Sequence, residues 1–134
     1  MLRDECFCCF DTNVLVSAML SHKISSTKKA VKSIYIGQVV PMYNEEILAE
    51  YEEVLHRTKF GFEASEIANI LEAIVKTGVY VNRTPCGELF VDPTDAVFYE
   101  TALSVKGSFV VTGNTKHFPH NPIVVTPAEL LAML

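Results

Sequence analysis

The sequence lacks any apolar run long enough to cross a bilayer, because charges break every stretch after a few positions. A helical membrane protein is therefore not expected. Its start, Met1-Leu2-Arg3-Asp4-Glu5, has neither the basic opening nor the small-residue cleavage site of a secretory signal peptide. The expectation is a cytoplasmic protein. Basic charge is also scarce: 11 Lys and Arg stand against 16 Asp and Glu, a net charge of −5. That argues against a general nucleic-acid coat, whose affinity rests on many phosphate contacts. No Gly-x-x-x-x-Gly-Lys loop is present, which weighs against nucleoside triphosphate chemistry. The four cysteines, Cys6, Cys8, Cys9 and Cys86, show no Cys-x-x-Cys spacing, so no zinc site is read from them. Repeats, low-complexity tracts and linkers are absent too. Residues 1–134 are expected to form a single domain, and 49% hydrophobic content suffices for a full core.

What is present begins with Cys6-Phe7-Cys8-Cys9-Phe10, an unbroken apolar run. It reads as a strand buried on both faces, the pattern of a parallel sheet. Alternation puts Cys6 and Cys8 on one face and Cys9 on the other, as small reduced core residues. Asp11 follows at the carboxyl end. Ligands of open parallel sheets bind just beyond that end, and a carboxylate taken out of water there needs a partner.

Further short strands alternate with helical patterns along the chain. Strands are expected at Val39–Met42, Val79–Val81, Ser108–Thr112 and Ile123–Val125. Helices are expected over Asn13–Leu20, through about Ile36 after N-caps offered by Ser25-Ser26-Thr27, from about Glu45 to Arg57 capped by Asn44, from about Glu63 to Lys76, from Asp92 through about Val105, and last from Pro127 with Thr126 as cap. This alternation predicts a three-layer α/β/α fold around a parallel sheet of four to five strands.

Polar groups gather at four strand ends or helix starts. Asp11 has Thr12 and Asn13 beside it. The 45–57 helix is acidic, and its apolar stripe of Ile47, Leu48, Tyr51, Val54 and Leu55 puts Glu50 on one rim and Glu52 on the other. Periodicity alone does not choose between them. Asp92-Pro93-Thr94-Asp95 reads as a helix start, with Asp92 as cap and Asp95 completing a variant capping box. Thr112-Gly113-Asn114 follows the fourth strand, with Lys116 and His117 next and able to contact phosphate.

Charge is segregated. Residues 12–44 and 101–128 contain no acid, while acids crowd into 45–53 and 88–100. Carboxylates converging on one cleft repel each other unless a cation lies between them. Oxygen-only donors select Mg²⁺ or Mn²⁺ over zinc. Two such ions, typically ~3.5–4 Å apart, activate water and stabilise the leaving oxygen in phosphoryl displacement. Metal-assisted phosphodiester hydrolysis is the reaction class these residue types suit.

The segments Phe10-Asp11-Thr12-Asn13-Val14-Leu15, Glu46-Ile47-Leu48-Ala49-Glu50-Tyr51, Asp92-Pro93-Thr94-Asp95 and Val111 to Phe118 occur in an order that resembles the PIN domain. This is the metal-dependent ribonuclease fold of toxins from prokaryotic toxin–antitoxin pairs (the VapC type). The closing Val125-Thr126-Pro127-Ala128-Glu129-Leu130 is similar to that toxin branch. The resemblance implies an Mg²⁺ or Mn²⁺ site with Asp11 as central ligand, Glu50 as the helix glutamate and Asp95 as the third acid. It gives Asp92 an outer or alternative ligand role. Thr12 and Asn13 would orient Asp11. Asn114 departs from the family's frequent aspartate and would weaken a second metal position. The partners implied are RNA, an antitoxin protein and a second copy in a homodimer. Two other readings stand beside the ribonuclease: a PIN fold with little catalysis that binds RNA or protein, and a phosphatase of small phosphoesters.

Overall fold

A computed structural model describes residues 5–134. Met1–Asp4, part of the signal-peptide argument, lie outside the described residues. The first strand, β1, spans Phe7–Phe10 and leads directly into α1, Thr12–Leu20. The helix α2 (Ser26–Tyr35) is capped by Ser25, whose side chain accepts from the Lys28 N–H. After β2 (Val40–Tyr43), Asn44 caps α3 (Glu45–Leu55) by accepting from the Ile47 N–H. The long amphipathic α4 (Ala64–Thr77) leads to β3 (Val79–Tyr80). An irregular stretch follows, then α5 (Ala96–Leu103), β4 (Phe109–Val111), β5 (Val124–Val125) and α6 (Pro127–Met133). Thr126 and Glu129 close a full capping box at the start of α6.

All five strands are parallel, in the order β3-β2-β1-β4-β5. Among the described residues, six helices flank the sheet, giving the expected three-layer α/β/α architecture. Strand β1 lies at the centre, paired to β2 through Phe7↔Val40 and to β4 through Cys9↔Val110 and Phe10↔Val111. Its burial on both faces explains the unbroken apolar run: Cys8, Cys9 and Phe10 are all within the core. The chain runs outward from β1 to β2 and β3, then returns to the other side for β4 and β5. The strand order thus reverses between β1 and β4, and ligand crevices of open parallel sheets form at that point.

Some boundaries differ from the sequence pattern for local reasons. The helix expected from Asp92 opens instead with a tight 3-10 turn at Pro93–Asp95, and α5 proper starts at Ala96. Asp92 Oδ1 accepts from both the Thr94 N–H and its hydroxyl, and the Asp95 N–H bonds the Asp92 carbonyl. That pattern tightens the first turn. The variant capping box is only half formed, because the Asp95 side chain makes no capping hydrogen bond. Helix α3 ends at Leu55, two residues short of Arg57, which pairs back onto Glu53 at 2.8 Å.

Gly78 joins α4 to β3 where no side chain fits. A Cβ there would collide with the carbonyl oxygens of Pro41 and Ile74. The irregular 81–92 stretch is tied down by Asn44, whose amide donates to the Val81 carbonyl and to Thr101 Oγ1. Arg83 bridges Glu46 at 3.0 Å and the buried Glu100 at 3.3 Å, and Glu100 also accepts from the Cys86 N–H. Among the described residues, no helix is long and apolar enough to cross a membrane.

Candidate active site

Asp11 sits where β1 ends and α1 begins, at the carboxyl edge of the sheet beside β4. It is 5% exposed. Burial pushes its carboxyl above the usual range. Hydrogen bonds oppose that shift. Thr112 Oγ1, at the end of β4, donates to Asp11 Oδ2 at 2.8 Å, and Asn13 Nδ2 donates to the same oxygen at 3.1 Å. The N–H groups of Asn13 and Thr12 pull in the same direction without a full capping bond. The backbone is fixed as well: the Asp11 N–H bonds the Val111 carbonyl at 2.9 Å, and Tyr51 Oη donates to the Phe10 carbonyl. Tyr51 is fully buried on α3, so one helix both supplies Glu50 and clamps the backbone next to Asp11.

Thr12 behaves differently from the expectation. Its hydroxyl is buried and has no hydrogen-bond partner. The orienting role falls to Thr112 and Asn13. Asn13 also accepts from the Gly113 N–H at 3.3 Å through its Oδ1, so one side chain ties both loops of the crevice together. Thr112 Oγ1 in turn accepts from the Asn114 N–H at 3.0 Å. The side chain of Asn114 points to no partner among the described hydrogen bonds, and the residue is exposed.

The choice between Glu50 and Glu52 is plain in the geometry. Glu52 is exposed and faces His56 at 3.5 Å, on the α4 side of α3. Glu50 is half-buried on the Asp11 side. Burial raises its carboxyl, and the charges of Glu53, Asp92 and Asp11 add to the rise while Arg57 opposes it. Asp95 is pushed up to about 6, first by burial and then by the charges of Asp11, Asp92 and Glu50, with His117 opposing. His117 Nδ1 stands 3.9 Å from Asp95 Oδ2. Asp92 is the exception: its hydrogen bonds to Thr94 hold it below the usual carboxylate value.

Asp11, Glu50, Asp92 and Asp95 thus come from three separate stretches of chain and stand close enough to feel one another's charge. Among the described residues, no three His, Cys, Asp or Glu side chains stand at metal-holding distance. The donors themselves are all hard oxygens, three of them with raised affinity for a proton, and that chemistry fits a hard divalent cation. Lys116 and His117 are exposed at the rim.

A parallel sheet with carboxylates gathered at its switch point defines a class of α/β proteins whose site can act on phosphodiesters. The chain belongs to the PIN domain family, whose model matches residues 8–116. PIN domains are in general nucleases acting on nucleic acid, and so hydrolases. No curated protein and no solved structure gives a significant match.

Proposed function

We propose that this protein is a divalent-metal-dependent endoribonuclease, the toxin of a toxin–antitoxin pair. The observation that carries the reading is the gathering of Asp11, Glu50 and Asp95 at the β1/β4 switch point, with all three carboxyl groups raised by burial and those of Glu50 and Asp95 raised further by neighbouring acids. Asp11, Glu50 and Asp95 would hold Mg²⁺ or Mn²⁺, with Asp92 and Asn114 at its flanks. Bound there, such an ion would supply a water of lowered pKa and charge stabilisation for the leaving oxygen.

The chain's own groups do the rest. Thr112 and Asn13 aim one oxygen of Asp11 inward. Lys116 and His117 bind the phosphates on either side of the scissile bond. His117 Nδ1 also stands 3.9 Å from Asp95 Oδ2. The partners that go with this reading are RNA, an antitoxin that covers the crevice, and a second copy of the chain, in the cytoplasm.

Asn114 favours a second reading. Without a carboxylate there, the crevice holds one less negative charge, and a catalytically weak module that binds RNA or protein is its natural outcome. One experiment separates the two. Purified wild type should cleave single-stranded RNA with Mn²⁺, and Asp11→Asn should abolish that cleavage while keeping its circular dichroism spectrum. Equal cleavage by both proteins would rule out this site. No cleavage by wild type, with RNA still retained in a gel shift, would establish the binding module.

A further inference from the structure

The other end of β1 carries chemistry that the acidic crevice does not use. Cys6 and Cys8 project from one face of the strand, and their Sγ atoms touch at 3.7 Å. Cys8 is fully buried. Cys6 is half-buried and lines a hollow of about 410 Å³ together with Glu5, Gln38 and Met133. Among the described residues, no Lys, Arg or His side chain lines it. The contact between the two thiols holds Cys6 down at about 7, while the same contact and then burial push Cys8 up.

Two chemistries suit adjacent thiols, and the strand discriminates between them. A disulfide needs its sulfurs at ~2.05 Å and its Cα atoms no more than ~6.8 Å apart. Residues i and i+2 of a strand are already ~6.6 Å apart, at the edge of that range. Strand β1 cannot pucker freely, because the Cys6 carbonyl accepts from the Val40 N–H at 2.7 Å and Cys8 is in register with both Pro41 and Phe109. A metal ion makes no such demand. At metal–sulfur bonds of ~2.3 Å, two sulfurs of one ion lie at most ~4.6 Å apart, and these two are within that span.

The donor set then selects the ion. Zinc takes four protein ligands in structural sites, and no third His, Cys, Asp or Glu joins the pair among the described residues. Thiolates and thioethers select copper(I), which is content with two sulfurs, and Met133 adds a thioether on the wall of the same hollow. We infer that Cys6 and Cys8 form a two-thiolate copper(I) site at the end of β1 opposite the acidic crevice. Binding changes no oxidation state. The ion takes the place of the thiol protons, which leave to solvent, and the bis-thiolate complex carries one negative charge.

The test uses the full reduced chain under anaerobic conditions, titrated into copper(I) held by the coloured chelator bicinchoninate. Wild type should withdraw one equivalent. Cys6→Ser and Cys8→Ala should each weaken uptake by more than about 100-fold, since even groups that only support a ligand cost about 10–100-fold. Cys86→Ser, remote from the pair, should bind as wild type does. Circular dichroism of each variant checks that loss of uptake is not loss of fold, and Cys6→Ser, at a half-buried position, serves if Cys8→Ala fails to fold. Retained uptake in a folded Cys6→Ser protein overturns the proposal. So does a wild type that takes no copper but loses both thiols to hydrogen peroxide, which would make the pair a redox couple. None of these readouts depends on RNA cleavage, so failure here leaves the nuclease reading untouched.

Discussion

Replacing Thr112 by Val tests how Asp11 is held. Val keeps the shape of the buried Thr112 side chain and removes its hydroxyl. That hydroxyl donates to Asp11 Oδ2 at 2.8 Å and accepts from the Asn114 N–H at 3.0 Å. The Asn114 N–H is on an exposed loop and can turn to water, so its loss adds little. The bond to a buried carboxylate is different. A hydrogen bond to a charged group contributes about 1.5–3 kcal/mol, and a buried charge left short of donors bears its desolvation cost in full. Thr112→Val should therefore lower the stability of the metal-free protein by about 2–3 kcal/mol at pH 7.5. In urea unfolding, that moves the midpoint down by about 1–2 M.

The penalty should depend on pH in a definite direction. Burial raises Asp11 above the usual carboxylate value, and Thr112 opposes that rise. Removing Thr112 lifts the folded-state value further. An acid whose folded pKa is raised binds its proton more tightly folded than unfolded, so its stability contribution is favourable at low pH and lost as pH rises through the folded value. At acidic pH, below the raised value at which Asp11 takes up its proton, the missing bond is a neutral one of about 1 kcal/mol. The wild-type-to-variant gap should thus shrink on acidification, in chelator-treated samples followed by circular dichroism. A variant within about 0.5 kcal/mol of wild type at pH 7.5 would refute this account of Asp11, because that is the range of an uninvolved surface site. An equal penalty at both pH values would refute it as well.

Asp95, held at about 6 by burial and by the charges of Asp11, Asp92 and Glu50, should make the metal-free fold less stable as pH rises from about 4 through about 6. Asp95→Asn should flatten that slope and exceed wild type in melting temperature at pH 8 in chelator; an unchanged slope would contradict the repulsion. Asn114→Asp should tighten Mn²⁺ binding in calorimetry by roughly tenfold or more, since charge count tunes affinity for hard cations. Unchanged affinity would place residue 114 away from the ion. Gly78→Ala should lower the melting temperature by about 5–10 °C, because the added methyl meets the Pro41 and Ile74 carbonyls rather than open space. A neutral outcome would mean that the α4–β3 junction yields more easily than its geometry suggests.

The parallel sheet was legible because β1 is buried on both faces, which leaves only apolar positions between Cys6 and Asp11. The helices were legible from their caps: Ser25, Asn44 and Thr126 each make the bond their residue type suggests. The carboxylates could be nominated one by one, since each stands at a strand end, on a helix rim or in a helix's first turn. What periodicity could not supply was the direction of α3. Glu50 and Glu52 flank the same apolar stripe, and only the packing of Tyr51 beneath the end of β1 turns Glu50 toward Asp11. Nor could it assign the hydroxyls. Thr12 adjoins Asp11 in sequence and leaves its oxygen unpaired, whereas Thr112, about a hundred residues away, holds the carboxylate. Adjacency along a chain sets which residues are near, and the strand pairing of β1 with β4 sets which atoms meet.

That pairing gives the acidic crevice an asymmetry. Asp11 is clamped by two side-chain donors, by its own backbone bond to β4 and by Tyr51 on the preceding carbonyl. Glu50 and Asp95 have no comparable hydrogen bonds; burial and like charge only raise their carboxyl groups. One carboxylate is thus held in place, and on the proposed metal reading a cation would relieve the like charge that raises the other two. Relief of repulsion is itself a contribution to affinity, so a crevice short of one carboxylate at residue 114 still has a driving force for a first ion. A second ion lacks it, because the first has already neutralised the acids it would need. The same geometry that keeps Asp11 fixed therefore favours a single tightly bound cation, and the stoichiometry in calorimetry should be one for wild type and move toward two for Asn114→Asp.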